Sequence, residues 1–188
     1  FEHRSARRFQ RETEVLALEV ADVAERVRAL SPRALVLTGG EPMAQQRALE
    51  ELLHLLGPDF TVDVETNGTL APKEPLTARI DTFVVSPKLA NSGMAESLRI
   101  KPAALQTLAA TGRAWFKWVV DSEVAVDEVK ALVERLGLPD DRQILMPEGT
   151  TSAQLRERSP AVARWCLERG WRFSDRLHVH LYGGGRGV

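Results

Sequence analysis

Ala34-Leu35-Val36-Leu37-Thr38-Gly39-Gly40-Glu41-Pro42, followed by a helical apolar period over 43–56, decides how this chain is read. The apolar run reads as a buried strand. Pro42 suits the first turn of a helix, where its fixed φ and missing N–H are no disadvantage. Between strand and helix sit two glycines, whose lack of a Cβ lets another group approach the backbone, and then a carboxylate. A Gly-Gly turn here is either a tight connection or a site built at the strand's C-terminal end.

Working outward, the same unit recurs. Val20, Val23, Val27 and Leu30 form one stripe of a helix over 17–30. Strands are expected at 34–38, 60–65, 82–86, 115–120, 143–146 and 176–182. Helices are expected at 43–56, 101–110, from 121 or 122 to 136, and over 152–169, the last bent or broken at Ser159-Pro160. Gly57-Pro58, Asn67-Gly68, Pro87, Gly112 and Gly137 punctuate them. Repeated βα units with short connections predict an α/β fold of parallel strands covered by helices. No repeat or long linker divides the chain, so one domain is expected over 1–188.

Composition sets the class. With 188 residues, 44% hydrophobic and 27% charged, the chain suits a soluble domain with a substantial core. A formal net charge of −1 provides no global field for nucleic acid or membrane. No apolar stretch approaches the ~20 residues of a membrane span, and no signal-peptide pattern is present. The single Cys166 cannot form an internal disulfide, which agrees with a cytoplasmic setting. The basic run from His3-Arg4 to Arg7-Arg8 reads as a solvated, mobile terminus.

Strand ends carry the polar chemistry. The first ends in Thr38-Gly39-Gly40-Glu41, the second in Glu65-Thr66-Asn67-Gly68 and the third in Ser86-Pro87-Lys88. The fifth ends in Met146-Pro147-Glu148-Gly149, and the last carries His178 and His180. Parallel α/β folds bind ligands at the carboxyl ends of strands. Each motif alone is a turn or strand stop first; together on one rim they indicate a binding site. Two residues apart on a strand, His178 and His180 would share a face. They could ligate zinc, but no third ligand accompanies them, and hydrogen bonding to a polar ligand is preferred. Lys117 either snorkels to a sheet edge or meets an anionic partner; the second is preferred, because Trp115 and Trp118 give no clean alternation. Cys166, beside Trp165, reads as a buried structural thiol, and His54 receives no role. The end, Gly183 to Val188, is either a frayed tail or a segment that folds back on a ligand.

On these residues the chain resembles the radical S-adenosylmethionine enzymes, whose Gly-Gly-Glu-Pro motif matches residues 39–42. More narrowly it resembles the 7-carboxy-7-deazaguanine synthases of queuosine biosynthesis. The matching segments are residues 65–69, 86–88, 117–120, 146–149, 176–182 and 186–188, in the family's order. The resemblance implies a partial (β/α) barrel with helices outside. It implies that Gly39, Gly40 and Glu41 hold the amino group of S-adenosylmethionine, with Ser86, Pro87 and Lys88 also contacting the cofactor. Glu65 joins that cofactor set, and Leu145, Met146, Pro147 and Glu148 would line the adenine. Thr38 and His180 would hydrogen-bond the substrate, with His178 near and the Val188 carboxylate reaching back to it. The implied substrate is the pterin 6-carboxytetrahydropterin, whose conversion starts with hydrogen abstraction by a deoxyadenosyl radical. Ring contraction and loss of ammonia follow. A 4Fe-4S cluster, Mg2+ and a homodimeric state complete the implied set.

The sequence departs from the family in one respect. The family holds its cluster through three cysteines near the N-terminus, and three thiolates leave one iron open for S-adenosylmethionine. Here the only cysteine is Cys166. Because the chain opens at Phe1, the expectation is a preceding segment that carries the cysteines, the first strand, the magnesium ligand and part of the pocket. The alternatives are a cluster-free relative that binds a nucleotide or partner, and an activating enzyme for a glycyl-radical protein.

Overall fold

The computed structural model describes residues 15–183. Helix α1 (Val20–Leu30) leads into strand β1 (Ala34–Leu37), and a 3₁₀ turn (Pro42–Gln45) opens α2 (Gln46–Leu56). Then follow β2 (Thr61–Thr66), β3 (Thr82–Val85), the short α3 (Glu96–Arg99) and α4 (Pro102–Ala110). The chain continues with β4 (Ala114–Val120), α5 (Glu123–Leu136), β5 (Gln143–Pro147) and α6 (Ser152–Arg169). It closes with β6 (Arg172–Phe173) and α7 (Leu177–Tyr182).

All six strands pair in parallel, in the order in which the chain makes them. An order without reversal, joined by right-handed crossovers, winds the chain in one direction and puts the helices on one face. The expected α/β fold is therefore present, as an open sheet of partial-barrel type. On the covered face, Val62, Val64, Phe83, Val85, Phe116, Trp118, Val120 and Leu145 are fully buried. They form one cluster with Leu53 of α2, Leu105 and Leu108 of α4, Val126 and Val129 of α5, and Val162 and Trp165 of α6. Burying each such large side chain contributes about 1.5–3 kcal/mol, so this layer dominates the stability. Trp118 brings a polar atom into it, satisfied by donating from Nε1 to Gln143 Oε1 at 2.7 Å.

Strand β4 alternates cleanly: Ala114, Phe116, Trp118 and Val120 are buried, while Trp115, Lys117 and Val119 face the other way. Trp115 and Trp118 thus lie on opposite faces, and the lack of alternation expected from their spacing is corrected. Register carries this second, inner face across the sheet, with Val36 beside Asp63, Glu65 beside Val84 and Lys117 beside Ile144. It is only half covered, and Val36 is 59% exposed.

Two further expectations are revised. Residues 176–182 are not a strand. Arg172 and Phe173 take the place beside β5, opposite Ile144 and Leu145, where the later segment was expected. It coils instead, Val179 N and His180 N both donating to Arg176 O. Short apolar alternations are compatible with either state until pairing decides. Nor is α6 broken at Pro160. It runs without interruption, because Leu155 before the proline and Val162, Trp165 and Cys166 after it are all buried. Tertiary packing there outweighs the lost hydrogen bond. The Ser122 cap fixes the start of α5 as expected, and a Thr151–Gln154 capping box fixes that of α6.

Gly68 is where backbone and packing both demand glycine. Its φ is +74°, and a Cβ would lie 2.6 Å from Leu105 Cδ2 and 2.7 Å from Val85 Cγ1. Gly68→Ala should lose about 2–4 kcal/mol in urea unfolding, from overpacking added to left-handed strain. Gly137→Ala, with φ +63° but open space around it, should lose only about 1 kcal/mol. Equal losses would show that the contact with Leu105 and Val85 carries no weight.

Candidate active site

At the C-terminal rim, the β1 and β2 loops are locked together by one carboxylate. Glu41 Oε1 accepts from Met43 N at 3.0 Å and from Thr66 Oγ1 at 2.7 Å. Glu41 Oε2 accepts from Asn67 N at 2.8 Å. The same Thr66 hydroxyl accepts from Gly68 N, and Asn67 Oδ1 accepts from Thr69 N. Glu-Pro after the glycines and Thr-Asn-Gly after β2 are thus two halves of one clamp. The clamp leaves Gly39 and Gly40 turned outward: a Cβ at either position would meet nothing within 4 Å.

On the inner face, Glu65 takes the ammonium of Lys117 on Oε1 at 3.2 Å and the hydroxyl of Thr38 on Oε2 at 3.4 Å. The Glu65 side chain is 45% exposed and that of Lys117 19%. Lys117 therefore meets an anionic partner from within the chain, on the rim side of the sheet, and does not snorkel to an edge.

The β3 loop carries Ser86 (partly exposed), Pro87 (buried) and Lys88 (exposed). Ser86 N donates to Thr66 O at 2.8 Å, which continues the ladder one residue past β3. A buried ion pair holds the rest of the loop. Arg99 Nη1 lies 2.8 Å from Glu128 Oε1, with the arginine side chain only 5% exposed. Arg99 also donates to Lys88 O at 3.0 Å and Met94 O at 3.2 Å, and Glu128 Oε2 accepts from Ala90 N at 2.9 Å. Sequence reading missed both residues, since charges on amphipathic helices read as solvated. Nothing local marks Arg99 as buried.

At β5, alternation divides the expected segment. Leu145 is fully buried against the helices, and Pro147 is buried as well. Met146 and Glu148 are partly exposed on the other parity, and the Glu148 carboxylate is paired with Arg158 of α6. Any ligand contact by Leu145 is thereby limited to backbone. Beyond β6, His180 Nε2 lies 3.0 Å from Asp175 Oδ2. Helical geometry puts side chains two residues apart on opposite sides. His178 and His180 therefore do not share a face, as a strand would have required, and buried Val179 anchors the turn between them. Val188 and the glycines from 184 onward lie outside the described residues, as does the basic run near the N-terminus.

A one-way parallel sheet whose successive strand ends gather open glycine backbone, carboxylates and hydroxyls on one rim is an architecture shared by (β/α)-type enzymes. Relatives narrow this. No protein-family model matches the chain. A 7-carboxy-7-deazaguanine synthase of Pyrobaculum aerophilum is 36% identical over 154 residues, covering 81% of this chain and 67% of the relative. That of Halobacterium salinarum is 35% identical over 169 residues, covering 79% and 64%. That of Hyperthermus butylicus is 35% identical over 173 residues, covering 86% and 71%. The chain belongs to the 7-carboxy-7-deazaguanine synthase family, a family of lyases, and spans about two thirds of these relatives' lengths. Among solved structures, a mandelate racemase/muconate lactonizing enzyme has a TM-score of 0.42 at 11% identity, covering 89% of this chain and 47% of that one. That likeness is too loose to bear on fold or function.

Two implied groups fit these residues differently. Open glycine backbone beside carboxylate and hydroxyl acceptors suits an amino-acid-bearing cofactor such as S-adenosylmethionine. The residues do not fit an iron–sulfur cluster. Cys166, the sole cysteine, is buried in α6 with its thiol directed at Arg172 O at 3.3 Å. Among the described residues no group of three or more His, Cys, Asp and Glu side chains is placed to hold a metal ion. No described helix is long and apolar enough to cross a membrane.

Burial pushes the Cys166 thiol up, because desolvation penalises the thiolate, against smaller opposing effects from the Leu145 backbone and Arg169. With the folded pKa above the unfolded one, the stabilisation by the neutral thiol is complete below the unfolded value, about 8.5. It is lost as pH rises through the folded value. In urea unfolding, the stability advantage of the wild type over Cys166→Ala should shrink above about pH 8.5; a constant difference contradicts this. Removing the clamp tests a different contact. Glu41→Ala leaves Thr66 Oγ1 and Asn67 N without their acceptor, at a cost of about 1–3 kcal/mol in the same assay.

Proposed function

We propose that this chain is the core of an enzyme that contracts the ring of 6-carboxy-5,6,7,8-tetrahydropterin to 7-carboxy-7-deazaguanine, with loss of ammonia, in queuosine and related 7-deazapurine biosynthesis. The observation that carries the proposal is family membership over about four fifths of the chain. It is supported by the rim, where the motifs at the ends of β1, β2, β3 and β5 converge.

S-adenosylmethionine, when bound, supplies the hydrogen-atom abstraction that starts the ring contraction. The chain's residues bind and orient. Gly39 and Gly40 offer backbone to the methionine moiety, at a distance that side chains would forbid. Glu41 is part of this cofactor site in a supporting role, since Met43 N, Thr66 Oγ1 and Asn67 N already hold its carboxylate in place. Glu65 accepts from cofactor donors. Ser86, Pro87 and Lys88 border the cofactor from the β3 loop, and Leu145, Met146, Pro147 and Glu148 border its base from β5, Leu145 through backbone only. Thr38, His178, His180 and Val188 are assigned to the pterin. His180 is oriented by Asp175, which fixes which ring nitrogen faces the ligand. The seated cofactor would help to keep water and other quenchers from the reacting carbon.

No step is assigned through the cluster or through Mg2+, for which these residues hold no ligand set. The reading includes a cytoplasmic homodimer acting on a small molecule and binding no nucleic acid.

Expressed anaerobically in its complete reading frame with iron and sulfide, the protein should cleave S-adenosylmethionine and release 7-carboxy-7-deazaguanine from the pterin. Absence of product from cluster-loaded protein would overturn the assignment. Gly40→Val and Lys88→Ala should fold normally, since the first fills open space and the second removes an exposed side chain. Both should weaken S-adenosylmethionine in calorimetric titration by about tenfold or more, the first by blocking backbone approach. Extending the chain beyond Val188 by two residues should lower turnover of the pterin while leaving cofactor affinity intact. Wild-type efficiency in that variant would remove Val188 from the site.

A further inference from the structure

We infer that Lys117 is a positioning residue for the cofactor site, acting through Glu65 and, across the same carboxylate, through Thr38. The inference rests on the reading that Glu65 contacts the cofactor and adds what holds that carboxylate in place. Three strands contribute, Lys117 from β4, Glu65 from β2 and Thr38 from the end of β1. Lys117 reaches past β3 to the carboxylate at 3.2 Å, while Thr38 binds its other oxygen at 3.4 Å.

Several features separate this pair from an ordinary surface bridge. The ammonium sits in the middle of a strand, flanked on the sheet by Ile144, and most of its side chain is covered. Its hydrocarbon stem lies over the half-covered inner face, so its charge has one direction in which to find a partner. Glu65 is the more exposed member, and it keeps acceptor sites free on both oxygens after accepting one bond on each. A carboxylate anchored at both oxygens yet open at the rim presents fixed acceptors to a ligand's donors. Without Lys117 the same carboxylate could rotate and would face a ligand without a neighbouring counter-charge. Because Thr38 is assigned to the substrate and Glu65 to the cofactor, the bond between them also links the two ligand sites.

The test uses the protein in its complete reading frame, reconstituted anaerobically, with S-adenosylmethionine as the titrated probe. Lys117→Met and Glu65→Gln should each weaken the probe by about five- to twentyfold, and the double variant should be no weaker than the worse single one. Lys117→Arg should recover part of the loss. The melting temperature without ligand should stay within about 2 °C of wild type in Lys117→Met, as expected for a partly exposed pair. If Glu65→Gln leaves affinity unchanged, the cofactor role of Glu65 fails and this inference with it. If Glu65→Gln weakens binding but Lys117→Met does not, only the role of Lys117 fails. Additive losses, or a loss in Lys117→Met accompanied by a large fall in melting temperature, would mark the pair as purely structural and also overturn it.

Discussion

Parallel strands cannot be joined by tight turns, and each must be carried back by a crossover before the next can begin. Among the described residues every crossover runs the same way, so six strands lie side by side in chain order with the helices on one face. Everything else about the site follows from that constraint. All strands point their carboxyl ends the same way, and groups scattered along the sequence arrive on one rim. The face away from the helices stays partly open, which is why Lys117 and Glu65 can meet above β3 without displacing the core.

The rim then depends on partly buried polar contacts between its own loops. Glu41 joins the first two loops, and the Arg99–Glu128 pair ties the third to helices on the outside of the sheet. A carboxylate that accepts several bonds from backbone and hydroxyl donors is fixed far more tightly than an exposed side chain. The glycines and Lys88 are thereby left facing outward on loops that have little freedom to collapse. This division of labour separates residues that form the floor of the site from those available to a ligand, and it accounts for strongly patterned motifs in which only some positions are open.

Much of this was legible in the sequence. Apolar runs stopped by Gly, Pro and Asn located β1 to β5 to within a residue or two, and a cap at Ser122 placed one helix. The Gly-Gly-Glu-Pro and Glu-Thr-Asn-Gly segments stood out because glycine and carboxylate between a strand and a helix are chemically distinctive. Arg99, Glu128, Arg158 and Asp175 did not, because a charge on a helix or loop carries no local mark of whether it will be buried.

By itself the sequence determined the alternation of strand and helix, the parallel α/β class, the family, and the rim on which the polar groups gather, all properties of local pattern and short range. Only the tertiary structure decided the rest. It gave the place beside β5 to Arg172 and Phe173 and made residues 177–182 a helix, and so parted His178 from His180. It carried α6 through Pro160, because buried side chains on both sides outweighed one missing hydrogen bond. It placed Lys117 against Glu65 and Glu41 against Thr66 and Asn67, pairings between residues distant in the chain whose energies exist only after the sheet has brought them together.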